Sequence, residues 1–197
     1  MPFTKKTLTD CLQSLADRHE SNGVLPTSSV VLAYWTRLLN KGVNYCADKM
    51  RINKSTTVTV ASKTVALPDD FLVMNRVFNA SENELKMIDP DDIPNQTGYA
   101  YWITGDQFNG FYLNTPTDGV YTIEYSFKPA EMVNGTDKCI IPDIEAPVAY
   151  AYAMIRKGES DPFEDANDSL LECDSRLAEM QSAKVINENF NGFIING

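Results

Sequence analysis

Residues 142–184, PDIEAPVAYAYAMIRKGESDPFEDANDSLLECDSRLAEMQSAK, read as two helices back to back, and their placement decides the fold. In the second half, Phe163, Ala166, Leu170, Cys173, Leu177 and Met180 recur at alternating spacings of three and four. Glu164, Asp165, Asp168, Glu172, Asp174, Arg176 and Glu179 fill the other faces, so the stretch is an amphipathic helix with one narrow apolar seam. Asp161 is placed to cap it, Pro162 to open its first turn, and Glu164 to reach back to the cap. Upstream, Val148, Ala151, Tyr152 and Ile155 mark a shorter, more apolar helix from Pro147 to Lys157, with Gly158 expected as a left-handed stop. The short connection between the two makes them antiparallel neighbours.

Two more helices precede them. Leu8, Leu12, Leu15 and His19 share a face from Thr7 to about Glu20, beside Cys11. After a loop containing Gly23 and Pro26, Thr27, Ser28 or Ser29 can cap a longer helix. Val31, Tyr34, Trp35, Leu38, Gly42, Tyr45, Cys46 and Met50 carry its period to about Arg51, and Trp35 falls in its buried seam.

From Thr56 to about Lys128 the composition turns to Val, Thr, Tyr and Phe, punctuated by Pro, Gly, Asn and Asp, as in a small antiparallel sheet or sandwich. Tyr121, Ile123, Tyr125 and Phe127 alternate with Thr122, Glu124, Ser126 and Lys128, giving one buried and one wet face. Further strands are expected over 56–61, 64–67, 72–79, 84–88, 99–104 and 110–114, with a turn at Gly105–Asp106. The acidic loop 89–98 lacks calcium-loop spacing. The expected fold is α+β: a split α-helical bundle, two N-terminal and two C-terminal helices, with an inserted antiparallel β-sheet or sandwich and an extended C-terminal tail. Its parts are the helical halves 1–55 and 138–184, the β domain 56–137, and the extension 185–197.

With 17 basic against 27 acidic residues among 197, the net charge is -10 and the pI about 4.5. Such a field disfavours a sequence-specific DNA binder and suits a surface past which DNA slides. Cys11, Cys46, Cys139 and Cys173 are far apart in sequence and read as buried reduced thiols rather than a disulfide framework or zinc site. His19 is the sole histidine, and no nucleophile–base pattern, phosphate loop or metal cluster is visible, so no catalytic residue and no cofactor is expected. Neither a leader nor a membrane-length apolar run is seen, which points to folding in a reducing cytoplasm. The last stretch, VINENFNGFIING, is too apolar for a solvated terminus; it either packs on its own body or docks on a partner, and docking is the expectation. Trp102 falls opposite Tyr101 and Ile103 in its strand and is expected exposed, at a subunit contact.

The order of landmarks resembles the head-to-tail adaptor proteins of tailed bacteriophages, also called connector or head-completion proteins. The residues that carry it are LLNKGVNYC (38–46), LPDDF (67–71), YAYWITG (99–105), LNTPTDGVYTIEYSFKP (113–129), NGTDK (134–138) and CIIPD (139–143). The chain departs from the resemblance at Glu131–Met132–Val133, where a leucine is expected. The resemblance implies a structural virion protein and not an enzyme. It implies a dodecameric homo-oligomeric ring beneath the portal, extending a channel for double-stranded DNA that passes without sequence-specific binding. The ring would offer a platform to the next tail component, whether nozzle, tube or stopper. It further implies that the C-terminal extension, through Val185, Ile186, Phe190, Phe193, Ile194 and Ile195, reaches the portal ring. The alternatives are a phage cell-wall hydrolase using a carboxylate pair, or a carbohydrate-binding β-module using the aromatics between Tyr99 and Phe127.

Overall fold

Thr7 opens the first helix through a capping box: its hydroxyl accepts the Asp10 backbone N–H at 3.2 Å, while the Asp10 carboxylate accepts the Thr7 N–H at 2.7 Å. The computed structural model describes residues 5–19, 23–89, 99–158, 163–186 and 194–196. Its helices are α1 (Leu8–Arg18), α2 (Ser29–Met50), α3 (Glu145–Gly158) and α4 (Phe163–Ile186). Ser28 is the N-cap of α2 but makes no side-chain cap bond, and Arg51 closes that helix in the left-handed region. Asp161 and Pro162, the expected cap and first-turn residues of α4, lie outside the described residues.

Two expected boundaries move. Gly158 is still part of α3 and has no positive φ, so it is not the left-handed stop. Helix α4 continues through Val185 and Ile186, which were assigned to the extension; nothing in 163–186 breaks the helix, since neither Gly nor Pro occurs there.

The chain divides into two compact units, Met1–Arg51 with Pro129–Phe190, and Ile52–Lys128 with Asn191–Gly197. In the first, α3 is the central helix, burying Ala146, Val148, Ala149, Ala151, Ala153 and Ile155 among α1, α2 and α4. Its small side chains let neighbours approach closely, and Gly42 of α2 meets the backbone of Pro147. Helices α3 and α4 are antiparallel. Asp143, just before α3, accepts from Arg176 at 2.9 Å, and Arg156, near its end, reaches Asp165 near the start of α4 at 3.4 Å.

The second unit holds β1 (Asn53–Val60), β2 (Thr64–Ala66), β3 (Phe71–Asn79), β4 (Lys86–Met87), β5 (Ala100–Asp106), β6 (Gly110–Asn114), β7 (Gly119–Phe127) and β8 (Ile194–Asn196). They form two four-stranded sheets, ordered β3-β7-β1-β8 and β2-β6-β5-β4. Strand β7 pairs antiparallel with both β1 and β3, and Tyr121, Ile123, Tyr125 and Phe127 are all buried, as their alternation requires. The expectation of a purely antiparallel sheet is corrected at two pairs, because β8 lies parallel to β1 and β4 parallel to β5. In both cases the intervening chain is long enough for a crossover, whereas two-residue hairpins would force antiparallel pairing. The expected turn at Gly105–Asp106 is also displaced. Both residues belong to β5, and the reversal at 107–109 is held by the Asp106 carboxylate, which accepts the N–H groups of Phe108 and Asn109 at 2.7 and 2.9 Å.

Candidate assembly surfaces

Apolar residues in the C-terminal extension need a surface that pairs with extended chain, and β1 offers one. Ile194, Ile195 and Asn196 lie parallel to Asn53, Lys54 and Ser55, on the edge of β1 opposite β7. Backbone pairing of this kind attaches a short segment to a sheet while leaving its side chains to set specificity. Of the other residues expected to dock on a partner, Val185 and Ile186 are in the last turn of α4, and Phe190 and Phe193 lie outside the described residues. Trp102 is half-buried in β5 rather than exposed, because β6 runs beside it: it sits opposite Asn114, whose amide nitrogen comes within 3.5 Å of the Trp102 carbonyl. Trp35 is buried, with the His19 ring at 5.2 Å and His19 itself at the C-cap of α1, packed also against Tyr152.

The ionisable side chains of the helical unit form a network that ties helices together. Arg18 of α1 donates to Glu145 of α3 at 2.8 Å and to both carboxylate oxygens of Glu172 of α4, at 2.7 and 2.8 Å. Arg176 continues the chain from Glu172 to Asp143. The Arg18 guanidinium, more than that of Arg176, holds the Glu172 carboxyl down at about 2. Among the described residues no group of three or more His, Cys, Asp or Glu side chains could hold a metal ion. All four cysteines are buried and free, and the Sγ atoms of Cys46 and Cys173 lie 4.0 Å apart.

Two of the motifs that carried the resemblance acquire structural reasons. In LPDDF, Leu67 and Phe71 are buried, and Asp70 accepts the Tyr125 hydroxyl and the Lys54 ammonium, each at 3.0 Å. In LLNKGVNYC, Asn40 acts as a side-chain bridge to the linker: its amide donates to the Met132 carbonyl and its oxygen accepts the Met132 N–H, both at 2.9 Å. Met132, in the segment where a leucine was expected, is buried and supplies an unbranched apolar side chain there. Periodicity alone could not find Asn40, since it pairs with a residue 92 positions away.

A chain whose charged groups brace helices, and whose sheet edge accepts extended backbone, has the character of a structural subunit. Residues 6–187 match the model of the SU10 adaptor protein family, and the chain belongs to that family of phage head-to-tail adaptors. A search of curated proteins finds no match. The family is one of structural adaptors and not of enzymes, which places the chain in the virion, in contact with other head or tail components. Among the described residues no helix is long and apolar enough to cross a membrane.

Proposed function

We propose that this chain forms a dodecameric ring beneath the phage portal, extends the DNA channel, and carries the platform on which the next tail component assembles. The family match over residues 6–187 is the observation that carries this reading. In it, the helical residues at both ends of the chain form one split bundle, the β region is its inserted projection, and the extension from Val185 docks on the portal. The extension holds a strand-forming segment, Ile194–Asn196, which pairs with its own β1 in the free chain and in this reading adds to a sheet edge of the portal instead. The net charge of -10 supports a channel wall to which the duplex does not adhere.

Mixing the purified chain with portal rings of the same virus and viewing the product by negative-stain electron microscopy tests the reading. Portal rings that gain a coaxial layer are expected, and a chain ending at Lys184 is expected to leave them bare. Bare portals with the full chain overturn the proposal; full decoration by the truncated chain overturns the role of the extension.

A further inference from the structure

The outward faces of α2 and α4 carry opposite charges, although they belong to one copy. On α2 the stripe Val30, Ala33, Tyr34, Arg37 and Lys41 points away from the core, and Val30 is 77% exposed. Beside it runs a groove of about 650 Å³ between α2 and the linker segment 131–133, lined by Asn40, Asn44, Glu131 and Val133 and edged by both cations. Among the described residues neither Arg37 nor Lys41 has a carboxylate partner, and Arg37 lies over the Tyr34 ring. On α4 the outward stripe is Asp168, Leu171, Ser175, Ala178 and Glu179, with Leu171 67% exposed. Among the described residues Asp168 and Glu179 likewise have no cationic partner, and no exposed cation lies on the described part of that face.

Both helices pack on α3 with their apolar sides, so the two stripes are different surfaces of one body and cannot satisfy each other within a copy. We propose that the α2 groove of one copy receives the acidic α4 ridge of a second copy, the two helices parallel, with Leu171 seated between Val30 and Ala33, Glu179 facing the Arg37–Lys41 pair and Asp168 facing the N-terminal end of α2. A contact between two unlike faces is heterologous. Repeated, it closes into a ring when the rotation per copy permits, and otherwise runs on as a filament. Glu131 is the one carboxylate in the groove, and two cations outweigh it. This inference rests on the ring reading above and names the faces that would make the ring.

Charge reversal separates the two ideas. R37E/K41E makes both faces acidic, and D168K/E179K makes the α4 face basic while α2 stays basic. Each variant, checked for folding by circular dichroism, is expected to lose self-association by on the order of 100-fold through like-charge juxtaposition. Mixed in equal amounts the two are expected to associate, because each offers what the other lacks. A chain carrying all four substitutions is expected to self-associate as the wild type does. The readouts are sedimentation equilibrium of the free proteins and electron microscopy on portal rings. Folded variants that still decorate portals fully on their own overturn the face assignment, as does a mixture that stays monomeric. Heterotypic association in solution, with portals left bare by the wild type, upholds the paired faces and removes the portal-ring reading.

Discussion

Arg18 and Glu172 are 154 residues apart in sequence and meet through two parallel N–H···O bonds of 2.7 and 2.8 Å, joining α1 to α4. A planar guanidinium matched to a carboxylate fixes geometry as well as charge, which a lysine could not do. Because Arg18 lowers the Glu172 pKa from 4.5 to about 2, the pair contributes stability that is present above pH 4.5 and is lost as the pH falls toward 2. Arg18→Met is expected to cost about 1–2 kcal/mol at neutral pH, a figure kept small by solvent screening. Urea unfolding at pH 7 and pH 3 checks this: the wild type should lose more stability than the variant on acidification, and equal losses would contradict the pairing.

Close helix approach predicts a sharp difference between two glycines. A Cβ on Gly42 would lie 2.6 Å from the Pro147 carbonyl oxygen, and that atom is backbone on the central helix. Gly42→Ala is therefore expected to destabilise by about 1–2 kcal/mol, the overpacking strain exceeding the gain in helix propensity. At Gly158 an added Cβ meets nothing nearer than the Tyr34 hydroxyl at 3.6 Å. Gly158→Ala should leave the thermal midpoint unchanged or raise it.

Asp70 predicts coupling inside the sheet unit. Its two oxygens are used separately, one by the Tyr125 hydroxyl and one by Lys54. Asp70→Ala should cost about 2–3 kcal/mol, leaving a buried phenol unpartnered, while Tyr125→Phe should cost about 1 kcal/mol. The double variant should fall short of the sum of the single effects, and strict additivity would count against the bond. Burial first, and then Asp70, push the Tyr125 phenol well above its ordinary range. Its absorbance change on alkaline titration should therefore shift down in Asp70→Ala.

The four helices and the α+β class were legible because their signals are local: a seam at spacings of three and four, turn residues between runs, and the period-two pattern of 121–127. What escaped was set by partners distant in sequence. Nothing near Asn40 announces Met132, and nothing near Ile194 announces β1 or the parallel sense of that pair. The capping box at Thr7 had a readable signature, Thr-x-x-Asp, which the apolar period beside it obscured. The reading of Trp102 as exposed used alternation within its own strand, and the proximity of β6 makes it half-buried.

Half-burial of Trp102 sharpens what its replacement should do. Trp102→Ala removes a large side chain that is only partly covered within the chain, so the loss in stability should stay near 1–2 kcal/mol and the protein should remain folded. If the uncovered part of the indole meets a neighbouring copy, assembly on portal rings should weaken far more than folding does. A variant that unfolds in isolation would place the indole in the core, and one that assembles normally would remove it from the subunit contact.

The thiols report on the helical unit as a whole. Cys46 and Cys173 lie in van der Waals contact at 4.0 Å, well beyond a disulfide bond, and both are fully buried. The shared contact with Cys173, and burial after it, push the Cys46 thiol up, so little Cys46 thiolate exists near neutral pH, while Cys173 is shielded by its burial. Cys11 and Cys139 are buried in the same unit. Alkylation of the native protein should therefore be slow at all four cysteines and become complete once the helices open. Arg18→Met, which loosens the ties among α1, α3 and α4, should raise the labelling rate roughly tenfold where reclosing outpaces reaction, the factor that about 1.4 kcal/mol commands. Rapid labelling of the folded wild type at Cys46 or Cys173 would show that this part of the bundle opens without the rest.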